Sequence, residues 1–196
     1  MRHPAFVLAH ATTELCAPVP VVGTLLAVIA LGSDPNPPLA LRHAAIAEAV
    51  GVLVPLAGVV AGVRSGRFVD HHIPDRRGRP LPFLLWAGAL VAAGELARAD
   101  GAGARLSAAT WAVAAVLVAA AAANLFWKLS LHTALAAAAL TIAAALVGPA
   151  ALFAAPLLFL VAWARVRLRA HSPGQVLAAA AIGATVSWAA LARGPG

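Results

Sequence analysis

The chain has 196 residues, 62% hydrophobic and 11% charged, with a net charge of +7. A soluble domain is about half apolar and a quarter charged, so these figures exclude an ordinary soluble domain, and they exclude disorder. The single cysteine, Cys16, excludes a disulfide framework and a Cys-based zinc site. The positive balance comes from 13 Arg and one Lys that sit between long apolar runs, which sets nucleic acid aside as a partner.

A membrane-spanning helix needs roughly 20 mostly apolar residues. Seven segments come close, near 17–32, 44–64, 81–97, 106–126, 131–147, 149–164 and 173–192. The first lacks the basic start of a signal peptide and has Glu14 at its edge, so it reads as a span. Gly148 and Pro149 predict a tight turn between the fifth and sixth segments, because 131–164 is too long for one span. The expected fold is therefore all-α: a polytopic integral membrane helical bundle with about six or seven transmembrane helices. It forms a single membrane domain over 1–196, in a cell membrane whose Arg-rich, Ala-rich usage suggests a bacterial source.

Three connections are more polar than the rest: 64–80, 127–132 and 164–175. Two spans separate the first from the second, and two more separate the second from the third. An even number of crossings returns the chain to the same face, so all three loops are expected on one side of the membrane. Together they carry Arg76, Arg77, Arg79, Lys128, Arg165, Arg167 and Arg169, the histidines His71, His72, His132 and His171, and only two acids, Asp70 and Asp75. Such a cationic cluster calls for an anion, and guanidinium groups suit phosphate oxygens. Ser130 adds a hydroxyl donor. Solvated loop charge explains Arg64, Arg67, Arg167 and Arg169 equally well, but it explains the histidines poorly.

His132 opens the fifth segment and His171 the seventh. After His171 comes Ser172-Pro173-Gly174-Gln175, which reads as an N-cap followed by proline at the first helical position. His171 thus stands just outside a helix N-terminus, a setting that favours a bound anion. Gln175 is within reach of the imidazole. An imidazole works as nucleophile or as general acid near neutral pH, and cations around it stabilise a transferring phosphoryl group.

At these residues the sequence resembles the type 2 phosphatidic acid phosphatase superfamily, whose three blocks read K-x6-R-P, P-S-G-H and S-R-x5-H-x3-D. The third is matched by Arg165, five intervening residues and His171. The second is matched by Ser130 and His132, and the first in part by Arg79-Pro80. The run IPDRRGRP also looks like a bacterial subgroup with the pattern I-P-x-R-x-x-R, which puts Arg76 and Arg79 in functional positions. The resemblance covers about 64–192. It implies that His171 attacks phosphorus, that His132 protonates the leaving oxygen, and that Arg79, Ser130 and Arg165 hold the phosphoryl oxygens with help from Arg76 and Lys128. It implies no metal and no cofactor. The sequence departs from the family at three points: His72 stands for the first-block Lys, Leu129 and Leu131 flank Ser130, and Gln175 stands for the third-block Asp. An uncharged Gln still orients an imidazole but implies slower chemistry.

Positive charge in short loops marks the cytoplasmic side. Ten Lys or Arg fall on the motif side and four on the other, or six against four once Arg76, Arg79, Lys128 and Arg165 are set aside as site residues. The site is thus expected on the cytoplasmic face, with a lipid phosphate as substrate and an isoprenoid-linked phosphate favoured. Two other readings compete: a catalytically impaired lipid-phosphate binder or transporter, and an intramembrane prenyltransferase, which needs paired acidic motifs holding magnesium. Glu14, Glu48 and Glu95 lie within or beside apolar runs. The five tryptophans read as interface anchors, and His43 reads as bland.

Overall fold

A computed structural model describes residues 4–66 and 78–193. Its described residues are almost wholly helical, with no strand among them. The elements are α1 (Pro4–Leu15), α2 (Pro18–Ser33), α3 (Pro37–Glu48), a π-helical turn (Ala49–Leu53), α4 (Val54–Arg64), α5 (Pro80–Ala99), α6 (Ala104–Phe126), α7 (Leu131–Leu146), a 3-10 turn (Pro149–Ala154), α8 (Ala155–Arg167) and α9 (Pro173–Arg193). Proline opens α1, α2, α3, α5 and α9. It lacks an N–H, which the first helical turn cannot use anyway, and its φ is already helical.

The protein is a membrane-embedded helical bundle. Five helical stretches are long and apolar enough to cross a membrane: Pro37–Arg64, Pro80–Ala99, Ala104–Phe126, Pro149–Arg167 and Pro173–Arg193. The pair α1 and α2, bent by 50°, makes a sixth if taken as one broken span. Large apolar side chains point outward, Phe153 at 90% exposure and Phe126 at 84%, as a lipid-facing surface requires. The core lies along α6, which packs on α2, α5, α7 and α9.

Several boundaries differ from the sequence reading. The first segment, read at 17–32, is α2, and a separate helix, α1, precedes it and is ended by Cys16 and Ala17 ahead of Pro18. The second span begins at Pro37 rather than near 44 and carries a π-helical turn. Pro55 has no N–H to give the Gly51 carbonyl one turn back. The Trp86 indole donates to that carbonyl instead, at 2.8 Å. Trp86 is therefore a buried structural donor and not an interface anchor. The expected turn is present: α7 ends at Leu146, and Gly148 takes φ +141°, a conformation only glycine adopts freely. At 16 residues α7 is shorter than any of these membrane-crossing stretches, yet it packs against α2, α6, α8 and α9.

Small residues set the helix spacing. A Cβ on Gly183 of α9 would lie 2.0 Å from the Ala134 carbonyl oxygen of α7. One on Gly94 of α5 would lie 2.1 Å from the Thr110 Oγ1 of α6. Close approach of this kind replaces the hydrophobic drive that lipid cannot supply between helices. At the end of the bundle formed by the α2–α3 and α5–α6 connections, Arg42 pairs with Asp100, and buried His43 lies between Asp34 (Nδ1–Oδ2, 3.7 Å) and Asp100 (Nε2–Oδ2, 3.5 Å). His43 thus ties α3 to both connections. Near the same end, Glu95 accepts from Arg98 at 2.9 Å and from the Trp111 indole at 3.1 Å.

Candidate functional site

The opposite end of the bundle gathers residues from all three polar loops. Arg79, the residue before α5, is buried and donates through Nη1 to the Leu129 carbonyl at 3.1 Å. That contact joins the first loop to the second across 50 residues of chain. Trp127 leads into the second loop, and its ring is the nearest surface to Gly174 in the first turn of α9, 3.6 Å from where a Cβ would stand. That contact joins the second loop to the third.

The second loop is built on a helix cap. Ser130 is fully buried as the N-cap of α7, with its Oγ accepting from the Thr133 N–H at 3.5 Å and lying 3.0 Å from Thr133 Oγ1. His132 stands in the first turn of α7, also buried. Asn124, which the sequence reading passed over, supports this loop from α6. Its Nδ2 donates to Ala120 at 2.7 Å, and its Oδ1 accepts from the Leu129 N–H at 3.4 Å. The available signal was an amide in an otherwise apolar run just before the second loop.

The third loop is held by two successive caps. Helix α8 ends in a Schellman motif: Ala170 N–H donates to the Arg165 carbonyl at 3.1 Å and Arg169 N–H to Val166 at 2.9 Å, with Arg169 at φ +54°. The Arg165 carbonyl also accepts from the His171 N–H at 3.3 Å. Helix α9 then opens with a capping box. Gln175 N–H donates to Ser172 Oγ at 3.3 Å, and Ser172 N–H donates to Gln175 Oε1 at 3.1 Å. The expected N-cap at Ser172 is therefore present. Gln175 is thus a capping residue whose side chain also acts on the imidazole, while His171 Nδ1 is buried without a hydrogen-bond partner.

The electrostatics show that these loops share one space. Burial holds the His171 imidazole far below the usual histidine range, at about 3, and the charges of Arg165, Arg79 and Lys128 push in the same direction; Gln175 pulls weakly the other way. Lys128 is lowered by burial and by the same two arginines. Among the described residues, neither Lys128 nor Arg165 forms an ion pair, and Arg165 Nε is buried without a partner. Glu14, at the end of α1, lies within electrostatic reach of Arg165 as α1 packs on α8. Sequence spacing alone points to no such neighbour for Glu14. Arg79, Lys128, Ser130, His132, Arg165, His171 and Gln175 thus all lie on the converging loops and caps. His71, His72, Asp70, Asp75, Arg76 and Arg77 lie outside the described residues.

No family model, no curated protein and no solved structure matches this chain.

Proposed function

We propose that this protein is a membrane phosphatase that hydrolyses a lipid phosphate or diphosphate through a phosphohistidine on His171. The observation that carries the reading is the convergence of Arg79, Lys128 and Arg165 on an imidazole kept neutral first by its burial and further by their charge. A neutral imidazole has the lone pair that attacks phosphorus, and three cations are what an incoming phosphoryl group and its transition state require.

In the first step an imidazole nitrogen of His171 bonds to phosphorus as the bond to the lipid oxygen breaks, and His132 delivers a proton to that oxygen. In the second step His132 takes a proton from water, whose oxygen attacks phosphorus and displaces the imidazole, giving inorganic phosphate. Arg79, Lys128 and Arg165 neutralise the phosphoryl oxygens in both steps. Ser130 donates to them if its hydroxyl turns from the cap, and Arg76 and His72 complete the set on the first loop. The loop charge asymmetry supports a cytoplasmic site in a bacterial membrane and an isoprenoid-linked phosphate made on that face. Polar loops above apolar helices suit an amphiphile with its head in the loops.

One feature supports a second reading, a lipid-phosphate binder without turnover: the Gln175 oxygen is spent on the Ser172 N–H, leaving His171 Nδ1 without the carboxylate the family uses. Purified protein in detergent with EDTA, incubated with a panel of lipid phosphates beside a His171→Ala variant, separates the two. Phosphate release lost in the variant supports hydrolysis. Binding of a lipid phosphate with no release by the wild type supports the second reading, and equal release by both proteins refutes the role of His171.

A further inference from the structure

An apolar groove of about 520 Å³ runs along the seam between α5 and α6. Leu84, Gly88, Trp111, Ala115, Val118 and Ala122 are among the residues that line it. Its size falls within the roughly 300–1,000 Å³ typical of small-ligand clefts. It exists because the seam is lined by small side chains between larger flanks. Gly88 is the plainest case, since a Cβ there would meet no atom within 4 Å.

The groove begins about one helical turn from residues of the cation cluster. Leu84 lies one turn into α5, and Arg79 immediately precedes that helix. Ala122 lies one turn before the end of α6, and Lys128 follows that end by two residues. At the far end, Trp111 is locked across the seam by its bond to Glu95 of α5, which Arg98 holds in turn. Measured along α6 from Phe126 to Trp111, the floor lies about 22 Å below the cation level at 1.5 Å rise per residue. That depth passes the midplane of a hydrocarbon core about 30 Å thick.

We infer that the α5–α6 groove receives the hydrocarbon tail of the lipid whose phosphate sits among Arg79, Lys128 and Arg165, and that Trp111 limits the tail length. This inference rests on the phosphate-site reading for its headgroup and adds the binding site of the chain. The groove's depth favours a single tail that reaches past one leaflet over a pair of shorter ones.

The test uses a long-chain alkyl phosphate with a diazirine near the tail end, the matched alcohol without phosphate, and full-length protein in nanodiscs. Labelled residues are mapped by mass spectrometry in wild type, Gly88→Phe and Ala115→Leu, and phosphate release is followed against tail length. Expected are groove labelling by the phosphate but not by the alcohol, and loss of that labelling in both filled variants. Release from long tails should fall on the order of tenfold with release from short tails kept, as for a pocket changed by a few carbons. Trp111→Ala should extend acceptance to longer tails. Equal labelling by the alcohol, or labelling and tail preference unmoved by both filled variants, overturns the inference. Phosphate-dependent groove labelling without turnover upholds it while removing the hydrolase reading. Turnover with labelling elsewhere does the reverse.

Discussion

Gly183→Ala is the most demanding test of the architecture, because it adds one methyl group on α9 that meets α7 two residues beyond His132. The added Cβ would stand 2.0 Å from the Ala134 carbonyl oxygen, where ordinary contact begins at 3.4 Å. Backbone cannot rotate away as a side chain can, so α7 and α9 must separate by about 1.4 Å at their crossing. Overpacking of this kind costs about 1–3 kcal/mol. The two helices carry the two histidines at their starts, His132 on α7 and His171 just ahead of α9. A displacement of about 1 Å at reacting groups costs on the order of 10²-fold in rate. Thermal unfolding in detergent and single-turnover phosphate release are the measurements, with Gly58→Ala as the control because its Cβ meets open space. Unchanged stability and release in Gly183→Ala would refute the claim that this crossing sets the geometry of the site.

Four further outcomes follow from the loops. His171 should titrate near 3 in the ligand-free protein, and Lys128→Ala should raise that value by removing one cation; a histidine NMR titration reads both, and a wild-type value near 6.5 refutes the clustering. Because the unfolded imidazole binds its proton at about 6.5 and the folded one does not until about 3, stability should fall as pH drops through that window. Arg169→Gly should raise stability by about 1 kcal/mol with activity retained, since Arg169 holds a left-handed conformation that costs an L-residue roughly that much; a loss of release would instead assign Arg169 to the substrate. Gln175→Ala should cost about 1 kcal/mol in unfolding experiments through loss of the capping box, whereas a purely catalytic Gln175 would leave stability unmoved.

Much of this arrangement was legible in the sequence because it depends on period and parity. Apolar runs gave the spans, Ser-Pro and Gly-Pro gave the start of α9 and the turn after α7, and counting crossings put the three loops on one side. The parts missed depend on partners distant in sequence. Trp86 reads as an interface anchor until Pro55 is seen to orphan the Gly51 carbonyl beside it. His43 reads as bland until Asp34 and Asp100 are brought to either side of its ring. Glu14 belongs with Arg165 only because α1 breaks from α2 and lies on α8. Gln175 reads as a partner of His171, and the structure adds a local role that spacing alone leaves unseen, closing a capping box with Ser172.

The Schellman turn after α8 gives the third block its punctuation. A single carbonyl, that of Arg165, receives the N–H groups of Ala170 and His171. Arg165 and His171 are consequently parts of one rigid corner, with no hinge between them. Five intervening residues are the number that closes this corner, so the interval itself is under steric law, independent of which side chains fill it. A chain with one residue more or fewer there would keep both side chains and lose their fixed placement relative to each other.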